Sequence, residues 1–152
     1  MIAELDVLPV LADSELRLSL LDRNFAMPNR VPTYRFEIQA DGVRVGSATL
    51  RVGLNEYLER YAGQIGYGID YPFRGRRYAA RACRLLFQLA GCHGMNSLWI
   101  TCNPENVASR RTCEIVGGEL VDIVEVPPEV DLYREGDRQK CRYRVRLTGR
   151  IE

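Results

Sequence analysis

The chain has 152 residues, 46% of them hydrophobic and 27% charged, with a formal net charge of +1. That length suits a single domain, 1–152, large enough to bury an ordinary core. The near-neutral charge argues against a nucleic-acid partner, and no apolar run approaches the roughly 20 residues that a membrane span needs.

The N-terminus "MIAELDVLPVLADSE" carries Glu4 and Asp6 and lacks a basic stretch, so it reads poorly as a secretory signal and a cytoplasmic protein is expected. "SELRLSLLD" (14–22) puts Leu16, Leu18 and Leu20 on one face, a strand pattern. "NFAMPNRVPT" (24–33) has two prolines and reads as a loop. "TYRFEIQADGVRVGSATLRV" (33–52) is the clearest hairpin: Tyr34, Phe36 and Ile38 alternate, Asp41-Gly42 turns, and a return strand follows. "GLNEYLERYAG" (53–63) reads as a short helix or loop with an acidic face, and "GQIGYGID" (63–70) as a strand whose glycines signal a bulge or a close backbone approach.

A helix follows over about 78–90, where Ala82, Leu85, Leu86 and Leu89 form an i, i+3, i+4, i+7 stripe that Gly91 and Gly94 end. "SLWITC" (97–102) is a buried strand. Asn103 and Asn106 are both plausible caps for the helix "VASRRTCEIV" (107–116), and Gly117-Gly118 stops it. "ELVDIVEV" (119–126) and "KCRYRVRL" (140–147) alternate as strands around the loop 127–139. Four strands, helix, strand, helix and two strands predict an α/β, mixed α+β fold: a mixed, mostly antiparallel sheet with helices packed on it.

The cysteines, Cys83, Cys92, Cys102, Cys113 and Cys141, are odd in number and form no CxxC pair, and the single histidine, His93, adjoins Cys92. Neither a disulfide framework nor a metal site is expected from them.

"DYPFRGRRYAARACRLLFQLAG" (70–91) is the stretch that points to chemistry. A helix start leaves four backbone N–H groups unpaired and carries about half a positive charge. Arg74, Arg76 and Arg77 sit just there, with Gly75 letting the backbone come close to a ligand. Exposed cations at a helix start oppose its dipole by about 0.3–1 kcal/mol each. Three of them together therefore call for an anion, above all a pyrophosphate. The pattern is neither GxxxxGK[ST] nor GxGxxG after a first strand, which sets aside the P-loop and the dinucleotide turn.

"IGYGIDYPFRGRRYAARACRLL" resembles the coenzyme-A-binding motif of the GCN5-related N-acetyltransferases, [R/Q]-x-x-G-x-[G/A] after a bulged strand. "LWITCNPENVASRRTCEIVGGEL" matches a second stretch of that family at its spacing, and the resemblance covers about 35–147. It implies a central sheet with a splayed parallel pair of strands, 63–70 and 97–102. It implies acetyl-CoA as co-substrate and no metal. The backbone of Gly68 and Ile69 would pair with the pantetheine amides, and the amides from Arg74 through Arg76, Arg77 and Tyr78 to Ala79 would hold the pyrophosphate. Asn106 and Ser109 would bond the pantetheine arm. The Ile69 N–H would polarise the thioester carbonyl as an amine attacks it.

Two positions depart from the family pattern. Arg77 stands at the motif's second fixed position, where the family has glycine, and its guanidinium offers a reach toward the 3′-phosphate. Cys113 stands where many members keep an acidic tyrosine; it is either a thiol acid or a buried small hydrophobe. For the base, Gln64 lies near the position of a glutamate and would at most orient a water, while Glu56 and Glu59 are the nearest carboxylates.

The acceptor pocket is expected from 24–34, 53–62 and 127–137, with Tyr34, Glu56, Glu59 and Tyr133 among its residues. Their character suits the cationic amine of a small molecule or a peptide. The helices that often wall the acceptor side in this family are not evident in the sequence. The rival readings are a catalytically idle acyl-CoA-binding module and an RNA binder using "RGRR". A homodimer pairing through the C-terminal strands would fit an exposed sheet edge.

Overall fold

The computed structural model describes residues 3–25 and 31–147. The proline-bearing segment 26–30 expected as a loop lies outside them, while 31–32 are irregular as expected. In chain order the described elements are β1 (Ala12–Asp13), β2 (Leu16–Asn24), β3 (Thr33–Ala40), β4 (Val43–Arg51), a wide helical turn (Leu58–Ala62), β5 (Ile65–Ile69), α1 (Tyr78–Cys92), β6 (Ser97–Cys102), α2 (Val107–Ile115), β7 (Glu119–Glu125), α3 (Asp131–Arg134) and β8 (Gln139–Arg146). The expected mixed α+β order holds. The additions are the two-residue β1 and the short α3 within the expected loop 127–139.

The strands form two antiparallel sheets, β1-β2-β3-β4-β5 and β6-β8-β7. In the first, alternation sends Leu16 and Leu18, Tyr34, Phe36 and Ile38, and Ala48 and Leu50 to one buried face. The register Phe36↔Ala48 and Tyr34↔Leu50 keeps them there. The Asp41-Gly42 turn has positive φ at both residues, as a two-residue hairpin turn with right-handed strand twist requires. On the buried face lies α1. Its stripe Ala82, Leu85, Leu86 and Leu89 is at most 2% exposed.

The opposite face of this sheet is polar: Thr33, Arg35, Glu37 and Gln39 on β3 stand beside Ser47, Thr49 and Arg51 on β4. These residues are half-buried or exposed, and none is fully buried. A sheet face built of such residues is made for water rather than for a packed helix.

The two sheets meet at one point, beside the start of β5. Gln64 N–H donates to Trp99 O at 2.7 Å, and Gln64 Oε1 accepts from Trp99 N–H at 2.9 Å. Beyond that apex β5 and β6 belong to different sheets, so they splay. The C-terminal strand β8 lies between β6 and β7. Its edges are therefore taken, and an edge pairing of subunits in this sheet falls to β7. No helix among the described residues is long and apolar enough to cross a membrane.

Candidate active site

The site begins with the alternation Ile65-Gly66-Tyr67-Gly68-Ile69 in β5. Arg51 N–H bonds Gln64 O and Asp70 N–H bonds Val45 O, and the register between them is unbroken. Backbone polar groups of even-numbered residues thus face β4, and those of Ile65, Tyr67 and Ile69 face the splay. The expectation that the Gly68 backbone pairs with pantetheine is corrected: Gly68 is opposite Ser47 and its polar groups belong to the β4 ladder. Ile69 keeps its N–H toward the splay, as expected. Its carbonyl accepts Arg74 Nε at 2.9 Å.

The side chains divide the same way. Tyr67 points to the α1–α2 side, where its hydroxyl lies 2.7 Å from Ser109 Oγ. On the other side Gly66 and Gly68 leave β5 bare. The two glycines within β5, Gly66 and Gly68, thus produce a one-sided strand.

Past β5 the chain makes a short helical turn, Tyr71–Phe73, and enters α1 through Gly75 (φ 84°) and Arg77 (φ 61°). The motif position occupied by Arg77 requires a left-handed backbone, which is why glycine is usual there. No side chain caps α1 and no acidic residue sits in its first turn. The Arg81 N–H is the first to find the helical partner, Arg77 O. The N–H groups before it face a cleft of about 540 Å³. All ten residues expected to bind the co-substrate line that one cleft. Arg74 is folded back, bonded to Ile69 O and lying 5.6 Å from the Tyr71 ring centre. The side chains of Arg76 and Arg77 make no ion pair among the described residues, and Arg111 of α2 joins them at the mouth.

The far wall is α2. Asn106 is its cap, accepting Ser109 N–H at 3.1 Å. Asn103, the other expected cap, instead donates to Asp137 at 2.8 Å and ties the end of β6 to the turn between α3 and β8. Cys113 lies below the cleft, fully buried. A hydrogen bond with Cys102, and then burial, push its thiol well above the ordinary range. Cys113 is also absent from the lining of the cleft, so the expected thiol acid is corrected, on its burial and position, to its alternative, a small buried hydrophobe. The space above it is taken by Tyr67, which the sequence reading missed. Burial raises the Tyr67 pKa while Ser109 opposes the shift, so the hydroxyl keeps its proton. A tyrosine between two glycines in a strand aimed at the second helix was the available signal.

Gln64 is also corrected. It is 3% exposed. Besides its bonds to Trp99, its Nε2 donates to Gly53 O. Both ends of the amide are used, so it orients no water. It is the peg that closes the splay.

On the acceptor side, Glu56 and Glu59 line a second cleft of about 390 Å³ with Asn55. Tyr57 reaches from this segment to Asp131 of α3 at 2.9 Å. Tyr133, also on α3, stacks beneath Arg138 at 3.6 Å. Tyr34 is not among them: it is fully buried on the α1 face, where its hydroxyl bonds His93 Nε2 at 2.7 Å.

Residues 8–119 match the family described as Acetyltransferase (GNAT) domain. Among solved structures, the microcin C7 self-immunity acetyltransferase MccE, determined with acetyl-CoA and AMP, is 18% identical with a TM-score of 0.56 over 75% of this chain and 61% of that one. Mycobacterium smegmatis RimJ, in complex with CoA-disulfide, is 22% identical with a TM-score of 0.61 over 78% and 55%. A GNAT-family acetyltransferase from Bacillus anthracis is 17% identical with a TM-score of 0.57 over 74% and 66%. At these identities the likeness is one of fold. The chain spans less than two thirds of the length of each. No curated protein matches it in sequence.

Proposed function

The chain belongs to the GNAT acetyltransferase domain family, and on that premise we propose that it transfers the acetyl group of acetyl-CoA to an amine of a small molecule or peptide, in the cytoplasm. The observation that carries this reading is a single cleft that runs from the uncapped first turn of α1 to Tyr67, Gly68 and Ile69 of β5, with α2 as its far wall.

Acetyl-CoA supplies the acyl group as a thioester; attack by the amine lone pair forms the C–N bond, breaks the C–S bond and releases the thiol. The chain's own groups have separable tasks in this reading. The amides of Tyr78 and Ala79, with Arg76 and Arg77, hold the pyrophosphate. Tyr67 backbone groups and Asn106 hold the pantetheine arm as an added strand. The Ile69 N–H hydrogen-bonds the thioester oxygen as negative charge develops on it. Tyr67 Oη, protonated and placed by Ser109, donates a hydrogen bond to the departing sulfur. The amine's surplus proton leaves to water on the open face, since Gln64 takes none, and the departing thiolate takes its proton from solvent, so that the thiol is the product.

Calorimetry with acetyl-CoA tests the binding half. Wild type should bind in the micromolar range, with at least a tenfold loss in Gly75→Asp and a smaller one in Asn106→Ala. An absence of wild-type binding sinks the reading. Thiol release over an amine panel tests the other half. The buried Cys113 and the locked Gln64 favour one rival, an acyl-CoA-binding module without turnover, which tight binding with no thiol release on any amine would establish.

A further inference from the structure

Arg51 ends β4 on the polar face of the first sheet, opposite Thr33 of β3. It is half-buried. Of its five N–H donors, one has a partner among the described residues: Nη1 donates to Gly63 O at 3.1 Å. Other arginines around this sheet hold carboxylates: Arg35 with Asp22, Arg44 with Glu37 and Asp70, Arg81 with Asp13 and Glu15. Arg51 holds no carboxylate among the described residues, and burial lowers its pKa. A cation taken out of water without an anion is unfavourable, and a guanidinium fork fits carboxylate and phosphate oxygens.

Beside the guanidinium β5 is bare. Gly66 offers no side chain; its missing Cβ would stand 3.9 Å from Arg51 Nη1. Gly66 is on the bare side of β5, opposite the side from which Tyr67 enters the cleft, so the guanidinium stands beside the same strand on the face away from the co-substrate cleft. The acidic cleft with Glu56 and Glu59 is on the neighbouring segment, joined to α3 through Tyr57 and Asp131. One half-buried cation on the segment next to a cleft with two carboxylates matches a molecule carrying both charges.

We infer that Arg51 binds an oxyanion of the acceptor, carboxylate or phosphate, and so turns the acceptor's amine toward the thioester. This specificity role rests on the acetyl-transfer reading. It is tested without turnover, so the two fail separately.

The probes are N-acetylglycine, its neutral amide N-acetylglycinamide, and O-phosphoethanolamine, titrated against CoA-saturated protein while the ¹⁵N signals of the arginine side chains are followed. One of the two anions should bind at least tenfold tighter than the amide and shift the Arg51 Nε signal; which one identifies the source of the oxyanion. Arg51→Gln should abolish the preference and leave CoA affinity unchanged, with Arg51→Lys intermediate. Binding of both anions no tighter than that of the amide, or a preference that survives in both variants, overturns the inference. Loss of CoA binding in wild type would overturn the enzyme reading instead.

Discussion

Gly46 of β4 lies directly against the backbone of Gly68: a Cβ on Gly46 would collide with the Gly68 carbonyl and stand 3.1 Å from Ile69 Cα. The two residues are thus a packing pair in which only one tolerates a side chain. Gly46→Ala must push the end of β5, including the Ile69 N–H, out of position. It should lower stability by about 1–3 kcal/mol and weaken acetyl-CoA binding with it. At Gly68 an added Cβ meets nothing within 4 Å and φ is ordinary. Gly68→Ala should stay within about 0.5 kcal/mol of wild type and keep the affinity. Thermal melts and calorimetry on both variants check this; equal behaviour would contradict the close approach.

Arg77 holds a left-handed backbone at a cost of about 1–2 kcal/mol. Arg77→Gly should relieve that strain and raise Tm. By removing one cation from the cradle, it should also weaken acetyl-CoA binding and flatten its salt dependence. Arg77→Ala should lose the same affinity with no gain in Tm. Melts and calorimetry at two salt concentrations separate backbone from charge.

Tyr67→Phe removes the hydroxyl proposed to face the leaving sulfur. A hydrogen bond to a charged group contributes about 1.5–3 kcal/mol, or roughly 10- to 100-fold in rate. The expected result is a fall of that size in kcat, with the dissociation constant of acetyl-CoA changed less than about threefold. Cys113→Ala should leave kcat near wild type. The reverse pattern in single-turnover kinetics would return the acid to Cys113.

Glu15 bonds the Arg81 guanidinium at 3.0 and 3.1 Å, which ties the β1–β2 turn to α1. That bond holds the Glu15 carboxyl down at about 2, against an ordinary value of 4.5. Between those values the unfolded chain binds the proton and the folded one does not. The contribution is therefore complete above about pH 4.5 and is lost as pH falls toward 2. Urea denaturation from pH 6 to pH 2.5 should show that decline, and Arg81→Met should reduce its slope.

Local chemistry was legible in the sequence, and long-range geometry was not. Asn106 could be read as a cap because its partner, Ser109, is three residues away. The cradle could be read because the helix start, its glycine and its arginines are contiguous. Gln64 could not: its partners Trp99 and Gly53 lie on other strands, and nothing in "GQIG" announces that an amide will bridge two sheets. Tyr34 was misplaced although its alternation with Phe36 and Ile38 already assigned it to the buried face; a tyrosine beside a proline-rich segment was read for its hydroxyl instead of its register. Cys113 and Tyr67 form a linked error. A position emptied on a helix is filled from a strand forty-six residues earlier, and one sequence shows no such exchange.

The one-sided β5 has a kinetic consequence. Its tyrosine and isoleucines occupy one side and its glycines bare the other, so the strand acts as a partition with a slot in it. Two reactants that approach from opposite sides do not cross each other's path. Neither need arrive first, and neither product traps the other. Initial-rate plots should then intersect for any order of addition, and each product should compete only with the reactant that shares its side.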